Sequence, residues 1–233
     1  MTKPEFIFFD IDDTILDHAN AQQQALISVH EKYPCLHNTN PDEFRKAFKK
    51  VNIGLWHRYS LGEIDRPYLE KHRFTDTFEQ LGIPCKFSNG IVQFFMDDYR
   101  NHWQWISGAR ECLVELSQNY RIGFITNGFS EVQKQKAIDF KLDSFSDVLI
   151  ISEDVGYLKS HPKIFEHAEL KASVQPEKIL YVGDSYTSDV AGSKNVGWNV
   201  AWYSKEDIPN KGIQPDFQFN VFSDLTDFFL NRS

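Results

Sequence analysis

Four apolar residues, Phe6-Ile7-Phe8-Phe9, run directly into Asp10-Ile11-Asp12-Asp13-Thr14. An uninterrupted apolar run reads as a strand buried on both faces, the usual condition of a strand inside a parallel sheet. A chain that places three acids at the end of such a strand must deal with their repulsion. At an effective dielectric of about 20, two unit charges about 4 Å apart cost about 4 kcal/mol. Taken alone, the cluster has two readings. One is a solvated acidic turn. The other is a bound Mg2+, which takes oxygen ligands and is held by one or two carboxylates plus phosphate. In open α/β sheets ligands sit beyond the carboxyl ends of the strands, which is where these acids fall.

The remainder of the chain alternates in a way that fixes the fold class. From about Ala19 to Trp105 the pattern is helical throughout. Helices are predicted over 21–33, 41–59, 66–81 and 89–105. Asn40 is the N-cap of the second and Pro41 its first residue, while Pro67 opens the third and Gly82 follows it. Four successive helices read as an inserted all-α bundle. Beyond Gly108 helices and strands alternate, with strands over 120–126, 148–152, 178–184 and 199–203, a short edge strand over 217–219 and a final helix over 224–230. That alternation means right-handed βαβ units and a parallel sheet. The expectation is an α/β core with a helical insertion, with no repeats and no low-complexity tracts.

Composition narrows the partners. A formal charge of −8 over 233 residues argues against a nucleic-acid polymer or an anionic membrane surface, though not against a small phosphate ester. Cys35, Cys85 and Cys112 are far apart and form neither a zinc pattern nor a disulfide framework, which suits a reducing cytoplasm. No stretch reads as a signal peptide or reaches the ~18 apolar residues of a membrane span. A cytoplasmic protein, monomeric or homodimeric, is the expectation.

Four strand ends carry the chemistry. The first supplies Asp10, Asp12, Asp13 and Thr14, the second Thr126-Asn127-Gly128. Lys159 follows the third, and the fourth ends in Gly183-Asp184-Ser185 with Asp189 one helical turn on. Each piece alone has an ordinary explanation as a turn, a solvated lysine or an N-cap. Their recurrence at successive strand ends does not.

This constellation resembles the haloacid dehalogenase-like (HAD) hydrolase superfamily over the whole chain. The D-x-D-x-T signature is met by Asp10, Asp12 and Thr14, and the Thr or Ser after an apolar strand by Thr126. The Lys ahead of an I-F helix is met by Lys159 before Ile164-Phe165, and G-D-x-x-x-x-D by Gly183, Asp184 and Asp189. Ser160 departs from the Pro that relatives usually carry after that Lys. The resemblance implies a Rossmann-like core made of residues 1–16 and 106–233 and a C1-type helical cap over 17–105. It further implies Asp10 as the nucleophile, forming an aspartyl-phosphate, and Asp12 as the acid that protonates the leaving alkoxide and then the base for water. Mg2+ would be held by Asp10, the Asp12 main-chain carbonyl and Asp184. Thr126, Asn127 and Lys159 would hold the phosphoryl oxygens, and Asp189 would orient metal-bound water or Lys159. Asp13 stays outside that set.

Within the superfamily, Asn52-x-x-Leu55-Trp56-x-x-Tyr59-x-x-Gly62-x-Ile64, followed by Arg73-Phe74, resembles the bacterial pyrimidine 5′-nucleotidases, as do residues 125–129 and 150–156. A phosphomonoesterase acting on a small phosphorylated metabolite, with UMP, dUMP and dTMP as first candidates, is what this implies. Alternatives using the same residues are a sugar-phosphate or phosphoglycolate phosphatase and a β-phosphoglucomutase-like phosphomutase; a non-catalytic phosphate sensor is a further one. Trp56, Tyr59 and Phe74 are candidate base-stacking residues, with bundle core the alternative for Trp56 and Tyr59, three positions apart. His57, Arg58 and Arg73 either contact sugar or phosphate or lie on a solvated helix face.

Overall fold

The computed structural model describes residues 3–84, 89–146, 148–208 and 212–230. The chain divides into two compact units. One is built from residues 1–17 and 105–233, the other from residues 18–104.

The first unit is organised on six strands: β1 (Phe6–Phe9), β2 (Arg121–Thr126), β3 (Leu149–Ile151), β4 (Ile179–Gly183), β5 (Asn199–Tyr203) and β6 (Phe217–Phe219). All pair in parallel, in the order β3-β2-β1-β4-β5-β6. β1 is central, with Phe6 in register with Arg121 of β2 on one side and Ile179 of β4 on the other. Its alternation explains why all four residues are apolar. Ile7 and Phe9 enter the core on one sheet face with Leu113, Leu116, Phe124 and Leu225. Phe6 and Phe8 enter the core on the opposite face with Phe165, Tyr181 and Trp198. The chain leaves β1 for β2 in one direction and reaches β4 in the other, so the carboxyl ends of these strands open at a topological switch point.

The helices of the insertion are α1 (His18–Lys32), α2 (Pro41–Ser60), α3 (Arg66–Gln80) and α4 (Asn89–Asn101). The Asn40 side chain accepts from the N–H groups of Asp42 at 2.8 Å and Glu43 at 3.2 Å, with Pro41 following, so the sequence signal for the start of α2 is met. Asp65 caps α3 at Tyr68 N in the same way. This unit has an aromatic core: Phe48, Phe74 and Phe95 lie 5.1 to 5.6 Å apart, centroid to centroid. α4 stops at Asn101, four residues before the sequence pattern suggested. Leu16 then bridges Trp105 within the first unit.

The first unit adds α5 (Ala109–Ser117), α6 (Ser130–Asp139), α7 (Ser152–Val155), α8 (Pro162–Ala172), α9 (Gly192–Asn195) and α10 (Phe222–Leu230). After β4 a π-helical turn, Tyr186–Ala191, runs into the single turn of α9. Cys112 is a buried free thiol, pushed up to about 12 by burial, whereas Cys35 is disulfide-bonded, which corrects the reading of unlinked cysteines; Cys85 lies outside the described residues. Among the described residues no helix is long and apolar enough to cross a membrane.

Candidate active site

The site is built on the carboxyl ends of β1, β2 and β4 and on the loop after α7. Asp10 follows β1 directly and stays in the sheet ladder through its N–H, which donates to Val182 O at 2.9 Å. Its side chain is 9% exposed. Opposite it lies Lys159, also buried, with Nζ 2.6 Å from Asp10 Oδ1. The same ammonium donates to Tyr181 Oη at 2.8 Å and to Ile125 O at 3.3 Å. It stands 2.8 Å from Asp189 Oδ1, an ion pair lying off the hydrogen-bond direction. Tyr181, from the middle of β4, donates its own proton to Ile125 O at 3.0 Å. A buried ammonium without partners would be strongly unfavourable, and here two carboxylates, a phenol and a carbonyl surround it.

The main chain of Lys159 is fixed as firmly as its side chain. Asn127 Nδ2 donates to Lys159 O at 2.8 Å, and Lys159 N donates to Asn127 Oδ1 at 2.8 Å. The Asn127 amide is thereby committed to the lysine loop. The residue expected near the phosphate thus also ties the end of β2 to the lysine loop. The Lys159–Ser160 peptide bond is cis. Thr126 is fully buried at the end of β2, and its Oγ1 has no hydrogen-bond partner among the described residues. A buried hydroxyl in that condition is a group that an incoming acceptor can satisfy.

Asp184 and Asp189 complete the acidic set. One carboxylate oxygen each of Asp10, Asp184 and Asp189 lies within 4.8 Å of the others. Thr14 Oγ1 donates to Asp184 Oδ1 at 3.1 Å, and Ser185 N donates to Asp189 Oδ2 at 3.0 Å. The π-helical turn allows the second contact, since it carries Asp189 back over Ser185. Gly183 is required by the same packing. A Cβ there would lie 2.6 Å from Asp189 Cγ and 2.7 Å from its Cβ. Gly183→Ala should therefore destabilise the protein by about 1–3 kcal/mol. Thermal melts check this, and an unchanged Tm would mean the Asp189 carboxylate has room to withdraw.

Electrostatics follow from burial. Desolvation raises the Asp10 carboxyl well above its ordinary value. The Lys159 charge opposes that rise, and Asp189 and Asp184 reinforce it. Asp184 is pushed up to about 7, first by burial and then by Asp189 and Asp13, with Lys159 and the Thr14 hydrogen bond opposing. Asp13, which the sequence reading set aside, thus acts on the site through its charge. Burial pulls the Lys159 ammonium down, but Asp10 and Asp189 outweigh it and hold its pKa above that of an ordinary lysine. Three crowded carboxylates beside one ammonium, with Asp10 and Asp184 raised, suit a divalent cation with oxygen ligands. The Asp12 side chain is outside that cluster, so a main-chain carbonyl is what it has to offer a cation there.

Two partners of Asp12 were not foreseen. Lys136 Nζ lies 2.5 Å from Asp12 Oδ1, and Gln133 Nε2 donates to Oδ2 at 2.8 Å. The apolar poverty of α6 was the available signal, because a helix packed on a core with few apolar residues must bury polar ones. In the helical unit, Phe74 is fully buried among Phe48, Phe78 and Phe95, which corrects its reading as a base-stacking residue. Arg73 is buried as well, with its guanidinium over Phe95. Trp56 and Tyr59 are half-buried and meet edge to face at 5.5 Å. His57 and Arg58 are exposed.

Known proteins share this organisation. Residues 7–203 match the family model described as haloacid dehalogenase-like hydrolase. A glyceraldehyde 3-phosphate phosphatase of Pyrococcus abyssi is 30% identical over 203 residues, covering 84% of this chain and 80% of that protein. The pyrimidine 5′-nucleotidase YjjG of Escherichia coli is 28% identical over 228 residues, covering 96% of each. Among solved structures, the HAD-hydrolase YfnB of Bacillus subtilis, bound to magnesium, superposes with a TM-score of 0.83 at 26% identity, over 98% of this chain and 99% of that one. With a family model that spans the sheet from β1 to β5 and relatives that match nearly end to end, the chain belongs to the haloacid dehalogenase-like hydrolase family.

Proposed function

We propose that the protein is a Mg2+-dependent phosphatase that hydrolyses small phosphomonoesters through an aspartyl-phosphate on Asp10, with pyrimidine nucleoside 5′-monophosphates as its substrates. The observation that carries this is the buried Asp10–Lys159 pair at 2.6 Å beside the unpartnered hydroxyl of Thr126. It sets a carboxylate nucleophile next to groups that satisfy phosphoryl oxygens. Asp10 attacks phosphorus, and the bond to the leaving oxygen breaks as Asp12 delivers a proton to it. Asp12 then takes a proton from water, whose oxygen attacks phosphorus and frees Asp10 and inorganic phosphate. Lys159, Thr126 and the main-chain N–H groups of the turns neutralise and orient the transferred group, the chief requirement of phosphoryl transfer. Asp10, the Asp12 carbonyl and Asp184 would hold the Mg2+, which supplies charge neutralisation, while Asp189 steadies Lys159.

The helical unit of residues 18–104 serves as the cap that selects the substrate. Its Asn52–Ile64 and Arg73-Phe74 pattern and the end-to-end match to a pyrimidine 5′-nucleotidase support the nucleotide reading. A second reading, a sugar-phosphate phosphatase on the same catalytic residues, is favoured by the relative named a glyceraldehyde 3-phosphate phosphatase. Phosphate release from a panel of nucleoside monophosphates and sugar phosphates, with Mg2+ or with chelator, decides between them. UMP, dUMP or dTMP turning over well ahead of purine nucleotides and sugar esters supports the first. Fast turnover of triose phosphate with little from nucleotides supports the second, and no metal-dependent release from any ester refutes both.

Metal binding should also register without turnover. Asp184 has a folded pKa of about 7, above its ordinary value, so between pH 4 and 7 the folded protein holds a proton that the unfolded chain has lost. Stability without metal therefore falls as pH rises through that window. A cation replaces the proton, so Mg2+ should raise Tm more at pH 8 than at pH 5. At about 100 Kd of metal the gain is about 2.7 kcal/mol, or roughly 5–10 °C for a chain of this size. Equal shifts at both pH values would remove the Asp184 carboxylate from the metal site.

A further inference from the structure

Helix α6 buries two polar side chains, Gln133 at 2% exposure and Lys136 at 1%. Three positions apart, they share one helix face. Both reach Asp12, and they take different oxygens: Lys136 Nζ is 2.5 Å from Oδ1 and Gln133 Nε2 is 2.8 Å from Oδ2. Room for this is made in the turn after β2, where a Cβ at Gly128 would lie 2.6 Å from Gln133 Nε2. The Asp12 side chain keeps 21% of its surface exposed, so the gripped carboxyl is still accessible from solvent. An ammonium buried this deeply is a strongly unfavourable thing to place in a core unless it is paired. A chain needing only to fill that space would do so with an apolar side chain.

We propose that Lys136 and Gln133 are positioning residues that grip the two oxygens of Asp12 and fix the carboxyl where it exchanges protons with the leaving oxygen and with water. The inference rests on the assignment of Asp12 as proton donor and acceptor. Asp12 is a short side chain on a turn, and gripping one oxygen would leave it free to rotate about the other. Two donors from a single rigid helix remove that freedom. A misplacement of about 1 Å in a reacting group is enough to lose about 100-fold in rate.

The test compares leaving groups. A nucleotide such as UMP, or triose phosphate if the panel favours it, leaves as an alkoxide that must be protonated; p-nitrophenyl phosphate leaves as a phenolate that need not be. Lys136→Met should lower kcat on the alkyl ester by about 100-fold with KM within a few-fold of the parent. With p-nitrophenyl phosphate, the first-turnover burst of phenolate should keep its parental rate. The steady state that follows, which needs Asp12 as base, should be slow. Lys136→Arg should recover part of the loss. In an Asp12→Asn background, adding Lys136→Met should change nothing further. Gln133→Leu, which leaves the ion pair intact, should repeat the pattern at about 10-fold, and it carries the comparison if the lysine variant does not fold. Equal losses on alkyl ester and burst, or a full further loss in the Asp12→Asn background, would make the pair structural and overturn the inference alone. A wild-type protein that hydrolyses neither class of ester would overturn the phosphatase reading, and this inference with it.

Discussion

Asp10→Asn should lose at least about 1,000-fold in kcat, the equivalent of about 4 kcal/mol of barrier, while its Tm at pH 8 equals or exceeds that of the parent. The two halves of that expectation have one cause. Burial, with Asp189 and Asp184 nearby, raises the Asp10 carboxyl despite the pull of Lys159, so the folded state holds the anion at a disadvantage. A folded pKa above the unfolded one means a stability contribution that is complete at low pH and lost as pH rises through the folded value. An amide of the same shape carries no charge and escapes that loss. The stability difference between variant and parent should therefore be largest at pH 8 and shrink as pH falls towards the folded Asp10 value. The amide also cannot attack phosphorus, so the covalent route closes. Retained turnover would move the nucleophile to another residue, and a steep fall in Tm at pH 8 would mean that the ion pair with Lys159 outweighs burial.

Lys159→Met should have the opposite stability profile. The substitution keeps the volume and removes the ammonium that stands 2.6 Å from Asp10 and 2.8 Å from Asp189. Removing one partner of a buried ion pair costs about 3–5 kcal/mol, because the charge left behind has neither water nor partner. For a chain of this size that is a fall in Tm of roughly 6–20 °C at pH 8. The deficit should narrow as pH falls, since protonating one carboxylate relieves the other, and Mg2+ should recover part of it by entering the same field. Phosphate affinity should weaken alongside. A Tm within about 1 °C of the parent at pH 8 would show that the acids do not depend on this lysine.

How much of this was legible in the sequence depended on whether a residue's partners are local. Asn40 before Pro41 announces a helix start by itself, and α2 begins there. Phe6–Phe9 announces a doubly buried strand, because only a central parallel strand accepts four apolar residues in succession. The acids at strand ends could be collected by noting where strands stop. Residues whose meaning comes from across the fold were less readable. Lys136 and Gln133 sit 124 and 121 positions from Asp12, on a helix with no local sign of that partner. The hold of the Asn127 amide on the Lys159 main chain, 32 positions away, had no local signal. Phe74 and Arg73 looked like recognition residues and lie inside the helical unit, because aromatic rings that pack with three neighbours gain more from burial than from waiting for a base.

The centrality of β1 also bears on how the protein is made. This strand leaves the ribosome well ahead of the neighbours it must lie between, which begin at Arg121 and Ile179. At about 5–20 residues per second, the second of those partners arrives roughly 10–35 s later. During that interval the helical unit, contiguous in the chain and rich in local contacts, can collapse by itself. The four apolar residues ahead of it cannot, and they wait as an unpaired strand with high β propensity, the kind of segment that seeds aggregation or recruits a chaperone. Premature termination anywhere between residues 105 and 179 should accordingly yield a soluble helical segment tethered to an insoluble one, and yield in expression should improve on slowing synthesis or lowering temperature more than its modest size would suggest.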